Sequence, residues 1–141
     1  METVSFEQDT LTSATGMISD GQTPWIEKYL GQETNSIQVS TDYLDNKTFK
    51  VHKPSLIKID VEGHELEVLK GGEKKLSQCK PILLIESFPP NLDKVVNFLT
   101  KLGYKFWDSD LNKQLSAQTS NLFAWHDNGP LAREEIEKLI K

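Results

Sequence analysis

The stretch LIKIDVEGHELEVLKGGEKKL, Leu56 to Leu76, constrains the fold more than any other part of the chain. Apolar and polar residues alternate over residues 56–61, which predicts a strand. Gly63 then releases the chain into a helix, and Gly71-Gly72 interrupts that helix. A strand that leads directly into a helix is the unit from which α/β proteins are built.

The remainder of the chain extends this alternation. The expected elements are a strand, a helix, two strands that pair as a hairpin, and a final helix: 82–85, 91–102, 104–107, 121–125 and a helix with Pro130 in its first turn. The unbroken apolar run 82–85 suits a parallel strand buried on both faces. Asn91 is placed to cap the helix that follows it. The predicted fold class is therefore α/β, with a mostly parallel sheet, an antiparallel edge hairpin, and a ligand crevice outside the carboxyl ends of the strands.

The first third of the chain carries weaker signals. Residues 3–7 read as a short strand, residues 9–21 as turns and loops, and residues 37–41 as a second strand followed by a turn over 42–47. A length of 141 residues favours one domain, residues 1–141.

Composition excludes several classes of function. The net charge of −5 and the absence of clustered Lys and Arg argue against nucleic acid as a partner. No apolar run approaches the roughly 18 residues that cross a bilayer, so we expect no membrane association and a cytoplasmic location. Cys79 is the single cysteine and cannot form an internal disulfide, so we interpret it as a small, half-buried residue.

The end of the strand 56–61 carries the residues best suited to chemistry. If the strand continues, Asp60 and Glu62 point the same way and face the crevice, with His64 next to them. A histidine suits proton removal near neutral pH. In the alternative interpretation, Glu62 caps the helix, Gly63 allows a tight turn and His64 is solvated. A metal site is a further reading of these ligands, but nothing in the sequence completes it, so none is predicted.

Glu86 falls at the end of the next strand. There it is either a group of the crevice or the partner of a nearby cation, and both readings stay open. His52 and His126 stand alone, without the spacing of metal ligands. Trp25 lies in a polar region, where it could cover a substrate or an interface.

These residues resemble the signature of the FkbM-type methyltransferases. That signature reads "KIDVEG-x-E", then a Leu-x-Gly step, then a Pro-led apolar strand that ends in Glu. The matching residues are Lys58, Ile59, Asp60, Val61, Glu62, Gly63, Glu65, Leu69, Gly71, Pro81 and Glu86. The segment IQVSTDYL, Ile37 to Leu44, is similar to the family's preceding strand, although Asp42-Tyr43-Leu44 departs from the usual order.

The resemblance implies a Rossmann-like class I methyltransferase fold, in which residues 56–61 form the fourth strand and 82–85 the fifth. It also implies S-adenosylmethionine as the methyl donor, and usually the hydroxyl of a small molecule or sugar as the acceptor. The first strands and the glycine-rich loop that cradle the cofactor are expected upstream, since no such loop occurs in this chain. We thus expect the carboxyl-terminal part of a methyltransferase domain.

The resemblance also implies roles for individual residues. Asp60 and Glu62 are expected to line the crevice between cofactor and acceptor, and His64 or Glu86 to assist deprotonation of the acceptor hydroxyl. The catalytic set is thus Asp60, Glu62, His64 and Glu86, and the cofactor-binding set is Asp60 and Glu62. A homo-oligomer or a second chain that completes the sheet would also fit. The rival hypothesis is a non-catalytic remnant or binding module that lacks the cofactor-binding half.

Overall fold

The computed structural model describes residues 2–11, 16–19, 25–31, 33–47, 53–110 and 114–139. Contacts divide the chain into two compact units, residues 1–42 and residues 43–141. The expectation of one domain over residues 1–141 stays a prediction, and each unit is described by itself.

The first unit contains a three-stranded antiparallel sheet. Its elements are β1 (Glu2–Asp9), β2 (Gly16–Ile18), the helix α1 (Trp25–Leu30) and β3 (Thr34–Thr41). The strand order is β2-β1-β3. The two predicted strands are present but longer than expected, and the prediction of loops throughout 9–21 is wrong at β2. Gly16 permits that strand because a Cβ there would lie 2.4 Å from the ring of Phe6.

The second unit follows the predicted order of elements. It contains β4 (Leu56–Ile59), α2 (Glu65–Gly71), α3 (Glu73–Cys79), β5 (Ile82–Glu86), α4 (Asn91–Lys101), β6 (Lys105–Asp108), β7 (Asn121–Trp125) and α5 (Arg133–Leu139). The break between α2 and α3 falls at the predicted Gly71-Gly72 pair. The final helix begins at Arg133, three residues after Pro130, so the prediction that Pro130 lies in its first turn is wrong.

The four strands of this unit form one sheet in the order β4-β5-β7-β6. β4 and β5 are parallel, while β7 is antiparallel to both of its neighbours. The hairpin of β6 and β7 is confirmed, but the antiparallel strand lies inside the sheet, and the edge strand β6 runs in the same direction as β4 and β5. The sheet is therefore mixed, with three of its four strands pointing one way.

The helices cover one face of this sheet. The core consists of buried residues from the strands β4, β5 and β7, from the helices α2, α3 and α4, and from the turn before β6. They are Ile59, Leu69, Leu76, Leu83, Ile85, Val95, Leu99, Tyr104, Leu122 and Ala124. Leu92, Val95 and Leu99 are the buried residues of α4, as its apolar spacing predicts. On the opposite face, Lys58 is exposed and its sheet neighbour Leu84 is half-buried.

The paired glycines allow a close approach between chain segments. A Cβ at Gly72 would lie 2.8 Å from a methyl carbon of Leu44, and one at Gly71 would lie 3.1 Å from the ring of Tyr43. Asp45, in the 3₁₀ turn Leu44–Asn46, then accepts hydrogen bonds from two backbone N–H groups in the first turn of α3, at 3.1 and 3.0 Å. The turn before β4 thus satisfies donors that a helix start leaves free.

Candidate functional site

The carboxyl ends of β4, β5 and β6 meet at one edge of the sheet, where β7 begins. Loops that follow such ends form the ligand crevices of α/β proteins. We call this the acidic edge, defined by its carboxyl-bearing residues: Asp60, Glu62, Glu65, Glu86, Asp108 and Asp110. All four predicted site residues lie in the segments that form it.

The chain turns sharply after β4. The strand ends at Ile59, two residues earlier than predicted, so its pleat does not place Asp60 and Glu62 on a common face. Instead Glu62 and Gly63 form a turn with positive φ angles of 50° and 99°. A residue other than glycine in the left-handed region costs roughly 1–2 kcal/mol. A strained conformation of this kind often accompanies a functional site.

The alternative interpretation of this segment is partly corrected. Gly63 does form the tight turn, but the residue that caps α2 is His64, so Glu62 is not the cap. The His64 side chain is half-buried and makes no capping hydrogen bond. Glu62 therefore does not have the capping role that the sequence left open for it.

The charges of the acidic edge act on one another. Partial burial raises the pKa of Glu62, and the neighbouring carboxylates of Asp60, Glu86 and Glu65 raise it further, in that order. Glu62 makes no ion pair with any residue in the described ranges. Asp60 is different, because the ammonium of Lys58 contacts its carboxylate at 2.8 Å.

Lys58 is the cation of this region. The pKa of its ammonium is raised by the hydrogen bond to Asp60, then by the charge of Asp60 and, more weakly, by Glu86. Glu86 ends β5 and is half-buried, opposite Asn121 in the sheet register. The structure places Glu86 within electrostatic reach of Lys58 but not in an ion pair with it.

Glu65 is a residue that the sequence reasoning left without a role. It opens α2 and is 1% exposed. Its carboxylate accepts hydrogen bonds from the backbone N–H of Gly63, from Ser87 Oγ and from Asn91 Nδ2. Asn91 thus reaches across to this carboxylate instead of capping α4, whose cap is Pro90. In the sequence, the indication that Glu65 matters was its place as the second Glu of the "KIDVEG-x-E" pattern.

The last residue of β6 adds a second buried carboxylate. Asp108 is fully buried, and it accepts hydrogen bonds from Thr119 Oγ1 and from the backbone N–H of Asp110. Asp110 in turn accepts from Asn121 Nδ2 at 2.6 Å. The described flanks of the loop between β6 and β7, residues 108–110 and 119–121, are therefore joined by hydrogen bonds, and Asn121 lies opposite Glu86 in the sheet.

One comparison identifies the family of the chain. The family model described as the methyltransferase FkbM domain matches residues 2–106, which is more than half of the chain and includes both β4 and β5. The chain belongs to the FkbM methyltransferase family. FkbM methyltransferases use S-adenosylmethionine, so methylation with that donor is the chemistry the family match suggests. No curated protein and no solved structure matches the chain.

The match extends the resemblance seen in the sequence. It begins at Glu2, so the three-stranded sheet of the first unit belongs to the matched region of this FkbM chain. Which part of the family's domain the chain represents stays a prediction. The segment beyond Phe106, which contains β7 and α5, lies outside the match.

Other features lie away from the acidic edge. A cavity of about 370 Å³ is bordered by both ends of the Lys105–Asp127 ion pair, by Trp107 and Trp125, and by α5. It contains none of the four predicted site residues. Cys79 is half-buried, as predicted.

The remaining predictions concern metals, membranes and single side chains. Within the described ranges, no three His, Cys, Asp or Glu side chains are grouped as metal ligands would be. None of the helices described is both long and apolar enough to cross a membrane. His52 and the Trp25 side chain lie outside what the structure describes. His126 contacts the ring of Tyr104, and burial followed by the charge of Lys80 lowers its pKa.

Proposed function

We propose that this chain contributes the acidic edge to an S-adenosylmethionine-dependent O-methyltransferase acting on the hydroxyl of a small molecule or sugar. One observation carries the proposal: Glu62 is held in a turn at the carboxyl end of β4, among carboxylates that raise its pKa, and forms no ion pair with any residue that the structure describes. Such a group gains most from a positively charged ligand.

The chemistry of the edge suits this donor. S-adenosylmethionine supplies, when bound, a methyl group on a positively charged sulfur. Glu62 and Asp60 are the residues that would hold the cofactor. Glu62 forms no ion pair with a described residue, and a positive ligand would add to the cation, Lys58, that contacts Asp60, so a positive charge nearby stabilises both carboxylates. Membership in the FkbM family supports the same donor.

The acceptor side requires a group that takes a proton. His64 lies two residues after Glu62, and Glu86 is close enough to raise the pKa of Glu62; both His64 and Glu86 are half-buried. Either group takes the hydroxyl proton as the acceptor oxygen becomes the nucleophile. Positioning of the two reactants contributes as much as proton removal, because the transfer is a displacement at carbon.

Calorimetry with S-adenosylmethionine and S-adenosylhomocysteine tests the cofactor assignment. The second compound lacks the positive charge on sulfur. We expect Asp60→Asn to weaken binding of S-adenosylmethionine by about tenfold and to weaken binding of S-adenosylhomocysteine less, since a charge contact of roughly 1.4 kcal/mol corresponds to that factor.

The matched control is Asp127→Asn. Asp127 forms a similar exposed pair with Lys105, at the opposite edge of the same sheet. Equal affinities of the parent chain and Asp60→Asn for both compounds would contradict the proposal. Absence of binding to the parent chain, also after upstream sequence is added, would favour the non-catalytic module.

A further inference from the structure

Glu65 is an unusual residue for the interior of a small α/β unit. Its side chain is 1% exposed, and it forms no ion pair with any residue that the structure describes. A carboxylate taken out of water is strongly destabilising unless donors surround it. Here three neutral donors do so, from Gly63, Ser87 and Asn91.

These donors come from separate segments of the acidic edge. Gly63 belongs to the turn after β4, Ser87 follows β5 and is 1% exposed, and Asn91 opens α4. Asn91 Nδ2 also donates to the carbonyl oxygen of Gly63 at 3.1 Å. The Gly63 residue is thus held at its N–H by Glu65 and at its carbonyl by Asn91.

The turn held in this way is the one that presents Glu62. Both of its residues have positive φ angles, so the turn needs support from contacts outside itself. Ser87 also connects the network to the neighbouring strand, because it directly follows Glu86 and its own N–H donates to the carbonyl of Ser120 at 2.8 Å. The same contacts therefore fix the chain next to both Glu62 and Glu86.

We infer that Glu65, with Ser87 and Asn91, is a positioning residue for methyl transfer, which holds the Glu62–Gly63 turn and the start of the loop after Glu86 in one geometry. This inference rests on the proposed function for its role in catalysis. The positioning itself does not depend on which ligand binds.

The pKa of Glu62 distinguishes a positioning role of Glu65 from a merely structural one. A merely structural role would leave the titration of Glu62 unchanged. Burial raises the pKa of Glu62 most, and the carboxylates of Asp60, Glu86 and Glu65 lie close enough to raise it further. Asn91→Ala removes no charge, so a change in the titration of Glu62 reports a change in its surroundings, of which burial is the largest cause of its raised pKa. The control Asn97→Ala removes an exposed asparagine from the same helix.

The experiment is a carbon-13 NMR titration of the Glu62 carboxyl group in the whole chain and in these variants. We expect Asn91→Ala to lower the pKa of Glu62 towards its ordinary value, because the released turn exposes Glu62 to water. Asn97→Ala should leave it unchanged. Ser87→Ala, which deletes one hydroxyl group, should give a smaller shift in the same direction and serves where Asn91→Ala does not fold.

Activity supplies the second readout. Misplacing a site residue by about 1 Å lowers turnover on the order of 100-fold, so Asn91→Ala should reduce kcat far more than Asn97→Ala does. A Glu62 titration that stays the same in both folded Asn91→Ala and Ser87→Ala would overturn the inference. Failure of the proposed function would look different, since the cofactor would not bind while Glu62 still responded to Asn91→Ala.

Discussion

Replacing Glu62 by glutamine is expected to lower kcat/KM for methyl transfer by about 100-fold, in the protein that carries this chain. The positive charge on sulfur is present when the donor binds and is lost as the methyl group leaves, so a carboxylate beside it acts mainly through donor binding and hence on kcat/KM. A loss of about 2.8 kcal/mol corresponds to that factor of 100. Glutamine keeps the length of the side chain and removes the charge that we place beside the cofactor. Steady-state kinetics with a labelled methyl donor measures the effect.

A stability measurement shows that the same variant is folded. Because the pKa of Glu62 is raised above its ordinary value of 4.5, its ionisation disfavours the folded state. That penalty is absent below pH 4.5, where both states are protonated, and is complete above the folded-state pKa. Glu62→Gln is therefore expected to be more stable than the parent chain at neutral pH, and the difference should vanish as the pH falls below 4.5.

The two readouts together assign the role of Glu62. A variant that is stabilised at neutral pH yet loses activity identifies a residue kept for function at a cost in stability. Full activity in the folded variant would refute the role given to Glu62.

Replacing Leu83 by alanine is expected to reduce the free energy of unfolding by about 2–5 kcal/mol, the usual cost of removing a large buried side chain. Leu83 is fully buried in β5, the strand that joins the parallel pair to β7. Natural domains are stable by only about 5–15 kcal/mol, so this loss is a large fraction of the whole. Denaturant unfolding monitored by circular dichroism measures it.

Leu56→Ala is the matched control. Leu56 lies on the adjacent strand β4 but is 53% exposed, so the same substitution there should cost no more than about 0.5 kcal/mol. Similar losses for the two variants would mean that the core does not lie where the helices meet the sheet.

Much of the second unit was predictable from sequence because its apolar spacing is regular. The runs Ile82–Ile85 and Leu92–Leu99 alone determine β5 and the buried face of α4. The order of the strands was not predictable in the same way. Nothing local in residues 121–125 indicates that β7 inserts between β5 and β6, since strand order depends on contacts between distant segments.

The position of the candidate site residues in the fold was predictable from the sequence, but their geometry was not. The pattern around Asp60 and Glu62 indicated the carboxyl end of β4, yet alternation along a strand could not reveal a left-handed turn. Asn91 illustrates the same limit. Its position favoured a helix cap, but the buried carboxylate of Glu65, 26 residues away in sequence, binds its amide instead.

The most direct test of the account is an NMR titration of the chain with S-adenosylmethionine. We expect the backbone amide signals of Gly63, His64 and Ser87 to shift in a saturable way, because these residues belong to the segments that form the acidic edge. The amide signals of Lys105 and Trp125 should stay in place, because these residues pair at the other end of β6 and β7, away from the acidic edge. Shifts confined to Lys105 and Trp125 would contradict the placement of the methyl-transfer site at the carboxyl end of β4.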